Sequence, residues 1–245
     1  MQPELISLPS SLYHTTAFVI VALAIFMVAV HTGIVAIAAQ RTSISPKTRT
    51  TIPFLVAAFL ASWLGVAILV ADGANFPIPV ESRQGISGLV ALIPVVIAVI
   101  ALFASNNLRA INAATPGAWL IAIQTYRIAG VMFMYPFVTY GILPVGFGYP
   151  AGIGDALTGI FAPVVAMMVA RSRPNAVKWA VVWNLFGTLD LIDATATALA
   201  FQAPVLGIYP IALVPLFLGP PLGILTHILS LRNLWVTRSD SSVTA

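Results

Sequence analysis

The sequence predicts an all-α membrane protein: a bundle of seven transmembrane helices with the N-terminus outside and the C-terminus in the cytoplasm. Of the 245 residues, 60% are hydrophobic and only 7% are charged, whereas roughly 25% of an ordinary soluble domain is charged. The mean hydropathy of +1.01 agrees with this class. No loop is long enough to fold separately, so residues 1–245 are predicted to form one transmembrane domain.

Seven apolar segments are long enough to cross a hydrocarbon core of about 30 Å. They span residues 16–39, 52–72, 86–105, 117–141, 151–170, 178–201 and 207–231. The first is predicted to be a retained helix, because no basic residues precede it and no small-residue cleavage pattern follows it. Pro136 predicts a kink near the outer end of the fourth segment.

The basic residues predict the orientation. Of the 11 Lys and Arg residues, Arg83 alone falls in a loop on one side, and Arg127 lies inside a segment. The other nine share the opposite side: Arg41, Lys47, Arg49, Arg109, Arg171, Arg173, Lys178, Arg232 and Arg238. An excess of basic residues in short loops marks the cytoplasmic side, and it accounts for the net charge of +4 without nucleic acid. The expected partner is the lipid bilayer, in a bacterial cytoplasmic membrane.

The most unusual residue is Arg127, which lies about ten residues, or about 15 Å, inside the fourth segment. A bare charge at that depth costs about 2.5–3.5 kcal/mol on insertion scales. Gln124 lies about one turn away and Tyr126 is adjacent. A guanidinium group does not lose its proton in proteins and needs acceptors, so we expect a buried polar centre around these three residues.

The sixth segment carries the best acceptors. Asp190 and Asp193 share one helical face, and Asn184 lies on another. A helix that is polar on two sides is predicted to be central or to line a cavity. Asp190 lies at a depth similar to that of Arg127, so Asp190 and Asp193 are its predicted partners, either in a structural salt bridge or in an ion or substrate-anion site.

Asp155 follows a loop that contains Pro144, Pro150 and four glycines. The loop is expected to cap the bundle or re-enter it on the external side. Asp155 is then predicted to lie in the first turns of the fifth helix, where the helix dipole favours an anion. It would either stabilise that helix end or take part in gating and substrate entry.

Prolines interrupt the last segment at Pro215 and at the run Gly219-Pro220-Pro221. Each proline removes a backbone donor, so carbonyl groups near Ile211, Leu216 and Phe217 are expected to lack their helical partners. In transporters such interrupted helices build ion sites. This pattern favours a break that lines the interior of the bundle.

Two histidines, His31 and His227, lie in the inner halves of the first and last segments. They would fit an axial haem pair, a metal site completed by an aspartate, or simply hydrogen-bonded core positions. The chain has no cysteine, which excludes disulfides and thiolate ligands. The sequence identifies no cofactor.

Four stretches carry a resemblance to a known family: WLIAIQTYRIAG, LPVGFGYPAGIGD, WNLFGTLDL and LVPLFLGPPLGILTHILSLRNL. The chain from about residue 117 onward resembles an uncharacterised family of bacterial multi-pass membrane proteins. The resemblance implies a shared polar centre but no activity, cofactor or substrate. The matching positions are Trp119, Gln124, Tyr126, Arg127, Gly130, Pro144, Pro150, Gly152, Asp155, Asn184, Gly187, Asp190 and His227, whereas Asp193 and His31 are outside the pattern.

Three functions are compatible with these residues. The first is a small transporter or a proton- or ion-coupled permeation protein, in which Arg127 anchors the carboxylates, Asp190 carries the proton or cation, and Asp155 lies at the external mouth. The second is a membrane-embedded enzyme, or a protein that binds haem, quinone or metal through His31, His227 and the aspartates. The third is a non-catalytic membrane subunit or sensor whose polar core only holds the bundle together.

Overall fold

The computed structural model describes residues 9–71, 80–203, 209 and 211–243, of which 80–85 and 237–243 by their backbone alone. Within these ranges every regular element is helical. The α-helices are α1 (Ser10–Gln40), α2 (Pro46–Ala71), α3 (Val80–Ala104), α4 (Asn106–Ala114), α5 (Gly117–Ala122), α6 (Val145–Ala170), α7 (Ala176–Ala200) and α8 (Pro220–Val243). The segment ends predicted at residues 72 and 207, and the side chains of Arg83 and Arg238, lie outside the described part.

Six helical stretches in this part of the chain are long and apolar enough to cross a membrane, which makes this a multi-pass membrane protein. They are Ser10–Gln40, Pro46–Ala71, Ile86–Ala104, Gly117–Val138, Val145–Ala170 and Val214–Val236. Helix α7 corresponds to the sixth predicted segment and has 25 residues, but it is not among the six. It carries Asn184, Asp190 and Asp193, which lower its mean hydropathy.

Several helices begin earlier than predicted, such as α1 at Ser10 rather than at residue 16, and one helix, α4, is additional. Helix α4 occupies a stretch that the sequence assigns to a loop, and the Ser105 hydroxyl caps it by accepting a hydrogen bond from the Leu108 amide at 3.3 Å. Helix α6 begins at Val145 rather than at residue 151. The glycines that suggest a loop serve close packing instead: a Cβ at Gly146 would lie only 2.5 Å from the ring of Phe201.

The fourth transmembrane stretch changes its helical winding along its length. Helix α5 continues into a 3₁₀ segment, Ile123–Gly130, and then into a first π segment, Phe133–Val138. Tyr135, just before Pro136, has φ −128° and ψ 121°, which is extended rather than helical. The kink predicted at Pro136 is therefore confirmed.

A second interruption precedes α8. The chain forms a second π segment, Val214–Leu218, and Gly219 then leaves helical geometry with ψ −110°. Two freed carbonyl groups find donors on other helices: Leu216 accepts from the Trp63 indole at 3.1 Å, and Leu218 accepts from the Tyr126 hydroxyl at 2.5 Å. The break lies where the prolines predict it, but protein donors already occupy these carbonyls.

Helix α7 lies at the edge of the bundle, packed mainly against α6 and α8. Its buried residues form one stripe, Ala176, Ala180, Trp183, Asn184, Gly187 and Leu191. The opposite side exposes large apolar residues such as Leu189, which is 64% exposed. The prediction that this helix is central is therefore wrong, because bulky apolar residues occupy the positions between its polar ones and face outward.

The indole of Trp63 connects three elements. Its Nε1 group donates to the Leu216 carbonyl and, at 3.0 Å, to the carbonyl of Val90 in α3. The ring packs edge-to-face against Phe217 with centroids 5.0 Å apart. Trp63 thus holds α2, α3 and the second π segment together.

We expect Trp63→Phe to lower the free energy of unfolding by about 1–3 kcal/mol, because two buried carbonyl groups lose their donor. Thermal unfolding in detergent, followed by circular dichroism, measures the effect. Trp179→Phe is the control, since Trp179 is 52% exposed. Equal melting temperatures for the two variants would contradict this role.

Candidate functional site

Arg127 is the centre of a buried polar site, with only 2% of the residue exposed. Its Nε donates to Asp155 Oδ1 at 2.6 Å, and its Nη2 donates to Asp190 Oδ2. Its Nη1 faces the Gly187 carbonyl at 3.1 Å and His227 Nε2 at 3.3 Å. Four of the five guanidinium N–H groups therefore have an acceptor.

The site forms because glycines allow the surrounding helices to approach closely. The 3₁₀ segment packs against α6, where a Cβ at Gly159 would lie 2.5 Å from the backbone nitrogen of Ile128. On the other side of α6, a Cβ at Gly154 would overlap the carboxylate of Asp190. Because these glycines are small, the 3₁₀ segment and α7 both pack closely against α6. Arg127 and Asp190 therefore meet beside this helix.

A second group of polar side chains extends the site along α7 and α8. The Asn184 amide nitrogen donates to the Ala180 carbonyl at 2.8 Å and to the Ser230 hydroxyl at 3.1 Å. Its Oδ1 atom must then accept, so His227 Nδ1 carries the proton of their 2.9 Å bond. The other ring nitrogen of a neutral His227 is consequently an acceptor for Arg127. The network fixes both the tautomer and the orientation of the ring.

The formal charges at the centre do not balance. One guanidinium faces two carboxylates, which gives a net charge of −1 if both acids are ionised. Burial in a medium of low dielectric disfavours an uncompensated charge, and the guanidinium keeps its own charge. A proton on one carboxylate, or a bound cation, would neutralise the cluster.

A small cavity of about 40 Å³ adjoins Arg127 and Asp155. Both interrupted helices contribute to its wall, through Phe133 and Phe137 of the first π segment and through Val214, Leu218 and Gly219 around the second. A cavity needs about 10–15 Å³ of such volume to hold one water. This one therefore has room for a few waters or a single inorganic ion.

Asp155 occupies a different place from the one the sequence predicts. Because α6 begins at Val145, Asp155 lies about three turns inside the helix, where it is 9% exposed and paired with Arg127. The expectation that it sits in the first turns, stabilised by the helix dipole, is wrong. The second carboxylate that pairs with Arg127 is therefore Asp155 on α6, not Asp193 on α7.

Three other predicted residues make no hydrogen bond to the guanidinium. Asp193 is exposed on the outer side of α7. Gln124 is fully buried and donates to the Gly223 carbonyl at 3.1 Å, while its Oε1 has no partner among the described residues. Tyr126 donates to the Leu218 carbonyl. Gln124 and Tyr126 therefore fasten the 3₁₀ segment to α8 and to the break before it.

The two histidines are engaged in separate hydrogen bonds. His31 Nδ1 lies 2.8 Å from the Met27 carbonyl, and its Nε2 lies 3.1 Å from the Thr226 hydroxyl. His227 uses both nitrogens in the polar site. Across residues 9–71, 80–203 and 211–243, no three His, Cys, Asp or Glu residues are placed to hold a metal ion. A haem or metal on His31 and His227 would have to replace these bonds.

Sequence reasoning missed two members of the site, the Gly187 carbonyl and the Ser230 hydroxyl. A backbone carbonyl leaves no signal in the sequence. Ser230 does leave one, because it lies three residues after His227 and so shares its side of α8. Of the three roles that the sequence leaves open for His227, the structure shows a hydrogen-bonded core position, against Arg127 and Asn184.

Comparison with known protein families gives a match. A family model described as a domain of unknown function (DUF8737) matches residues 83–235. The match includes every residue of the polar site, and it begins in α3, earlier than the resemblance found from residue 117. It agrees with the resemblance to an uncharacterised family. No curated protein and no solved structure matches the chain.

We expect Gly187→Ala to disrupt the site, because the added Cβ would lie 2.5 Å from His227 Nε2 and 2.7 Å from its Cε1. Displacing the ring removes an acceptor from Arg127, and overpacking of this kind costs about 1–3 kcal/mol. The melting temperature in detergent should fall accordingly.

The control for this variant is Gly65→Ala in α2, where a Cβ meets no atom within 4 Å. That substitution should leave the melting temperature unchanged or raise it, since alanine is the better helix former. Wild-type stability in Gly187→Ala would show that the His227 ring is not held in this position.

Proposed function

The chain belongs to the family described as a domain of unknown function (DUF8737), and we propose that it is a proton-coupled or small-cation-coupled permeation protein. One observation carries the proposal: Arg127 faces two carboxylates beside a cavity that both interrupted helices line. The cluster therefore has one carboxylate more than its guanidinium neutralises. That excess is a binding site for a proton or a cation.

The proposed setting is a bacterial cytoplasmic membrane, crossed seven times by one transmembrane domain. Helix α7 is the sixth span in this arrangement. Although it is less apolar than the others, its 25 residues exceed the roughly 20 needed to cross. The distribution of basic residues supports an external N-terminus and a cytoplasmic C-terminus. The cavity beside Asp155 then lies in the outer half of the bundle.

The size of the cavity restricts the cargo. About 40 Å³ is far below the roughly 300–1,000 Å³ of pockets that hold organic ligands. A sugar, an amino acid or an organic anion does not fit between Asp155 and the two π segments. A proton or a single inorganic cation fits without rearrangement of the helices.

Proton binding would act on Arg127. When a carboxylate of Asp155 or Asp190 takes a proton, it loses most of its attraction for the guanidinium, and Arg127 turns toward the acid that stays ionised. Asp155 lines the cavity and so receives the proton, while Asp190 holds the guanidinium from α7. Non-helical backbone at membrane depth occurs where it lines a cavity. The two π segments line this one, so they are the parts of the backbone that would move when Arg127 turns.

We expect Asp155→Asn and Asp190→Asn each to abolish proton flux in liposomes, because either change leaves one carboxylate for one guanidinium and removes the excess charge. Purified protein is reconstituted with a pH-sensitive dye inside, and a potassium gradient with valinomycin supplies the driving force. Asp193→Asn is the matched control, since Asp193 is exposed and outside the cluster. It should retain the wild-type flux.

A parallel assay without valinomycin, with sodium- or potassium-sensitive dye inside the liposomes, distinguishes the alternatives. Flux of sodium or potassium without protons would identify a cation as the cargo. Equal loss in Asp193→Asn, or no flux of any ion in the wild type, would contradict permeation and leave the cluster with a structural role in a subunit or sensor. Circular dichroism melts show whether each variant is folded.

A further inference from the structure

A second cavity, of about 420 Å³, lies away from the polar site. It is about ten times larger than the cavity beside Arg127. Helices α1, α2, α3, α4, α5 and α8 all contribute to its wall; Val35, Phe59, Leu102, Leu108 and Leu225 represent five of them. This volume falls within the range of pockets that hold organic ligands.

The wall of this cavity offers almost nothing polar to a ligand. Four of its residues carry polar side chains, and each already has a protein partner. Ser105 caps α4, Thr115 donates to the Ile111 carbonyl, Asn112 bonds with Leu229 and Arg232, and His31 bonds with Met27 and Thr226. The remaining lining is aliphatic or aromatic, so the chemistry selects a hydrocarbon.

The cavity is open toward the bilayer. Leu55 of α2 and Ile97 of α3 line it and are 57% and 50% exposed, whereas Leu222 on its far wall is 1% exposed. Both exposed residues lie inside transmembrane stretches. The entrance between α2 and α3 is therefore reached from the lipid phase without passing through water.

Two guanidinium groups lie where α4 borders this cavity. Arg232 donates to Asn112 Oδ1 at 2.7 Å, and Arg109 donates at 2.8 Å to the carbonyl of Phe103, the neighbour of Leu102. Among the side chains that the structure describes, neither arginine forms an ion pair with a carboxylate. Arginine pairs readily with phosphate through its planar set of donors.

We propose that this cavity binds one acyl chain of a bilayer phospholipid, which enters between α2 and α3, with the lipid phosphate at Arg109 and Arg232. The apolar wall accounts for binding of the acyl chain, and the lateral entrance accounts for its arrival from the bilayer. The two guanidinium groups, which have no carboxylate partner among the described side chains, account for binding of the phosphate. The proposal is independent of the permeation function, because none of these residues belongs to the Arg127 cluster.

Photolabelling tests it directly. Full-length protein is placed in phosphatidylcholine vesicles that contain phosphatidylglycerol with a diazirine at the end of one acyl chain, and the labelled residues are mapped by mass spectrometry. We expect label on Leu222 and Leu225, which line the cavity farther from the two arginines and are buried out of reach of lipid at the outer surface. Label confined to exposed residues such as Ile100 and Phe103 would overturn the proposal.

A second experiment fills the cavity with larger side chains. Ala98→Phe and Ala101→Phe each add a ring to the lining, and the buried label should be lost in both. Ala104→Phe makes the same change at an exposed position of α3 outside the cavity and should keep it. Unchanged buried labelling in both folded cavity variants, checked by circular dichroism, would contradict an occupied cavity.

The headgroup is tested with a labelled diacylglycerol, which lacks phosphate. Arg109→Gln combined with Arg232→Gln should reduce buried labelling by the phosphatidylglycerol probe and leave labelling by diacylglycerol unchanged. Equal reduction of both probes would overturn the phosphate contact. A tightly bound isoprenoid quinone that copurifies and blocks labelling would assign the cavity to another hydrophobe.

Discussion

The burial of one guanidinium group determines how α6, α7 and α8 pack together. Arg127 is buried and keeps its charge, so its N–H groups need acceptors inside the protein, and four of the five have one. Those acceptors come from three different helices, Asp155 on α6, Asp190 and Gly187 on α7, and His227 on α8. Removing one partner of such a buried pair costs about 3–5 kcal/mol. The requirement to satisfy Arg127 therefore fixes how these helices pack.

The backbone follows the same rule at the two interrupted helices. Residues around the second π segment lose helical hydrogen bonds, and Trp63 and Tyr126 replace two of them. The irregular backbone is tolerated because donors on α2 and on the 3₁₀ segment bond its free carbonyl groups. In return, the irregular turns line a small cavity beside Arg127 and Asp155, whereas the regular helices on the other side line a larger one. The two cavities differ because different backbone geometries build them.

Composition and periodicity were enough to predict the helical membrane class, the kink at Pro136, the break around Pro215 and the pairing of Arg127 with Asp190. They failed where packing decides. The glycines before Asp155 resemble a loop in the sequence, but in the structure they are contact points along α6. Helix α6 therefore begins earlier than predicted, and Asp155 lies in the centre of the site instead of at a helix end. Depth and helical face do not separate Asp193 from Asp190, although the family pattern includes only Asp190. In the structure Asp190 faces Gly154, which makes room for its carboxylate. The number of spans and their orientation stay predictions.

The order of these residues along the chain has a consequence for biosynthesis. Asp155 and Asp190 follow Arg127 by 28 and 63 residues, so a growing chain presents the arginine to the membrane before either partner exists. The stretch that carries it, Gly117–Val138, has a mean hydropathy of 1.2, the lowest of the six, and a central arginine weakens insertion further. We therefore expect α6 and α7 to stabilise this span in the bilayer once they have been made. Tertiary packing would then contribute to the membrane insertion of this part of the protein.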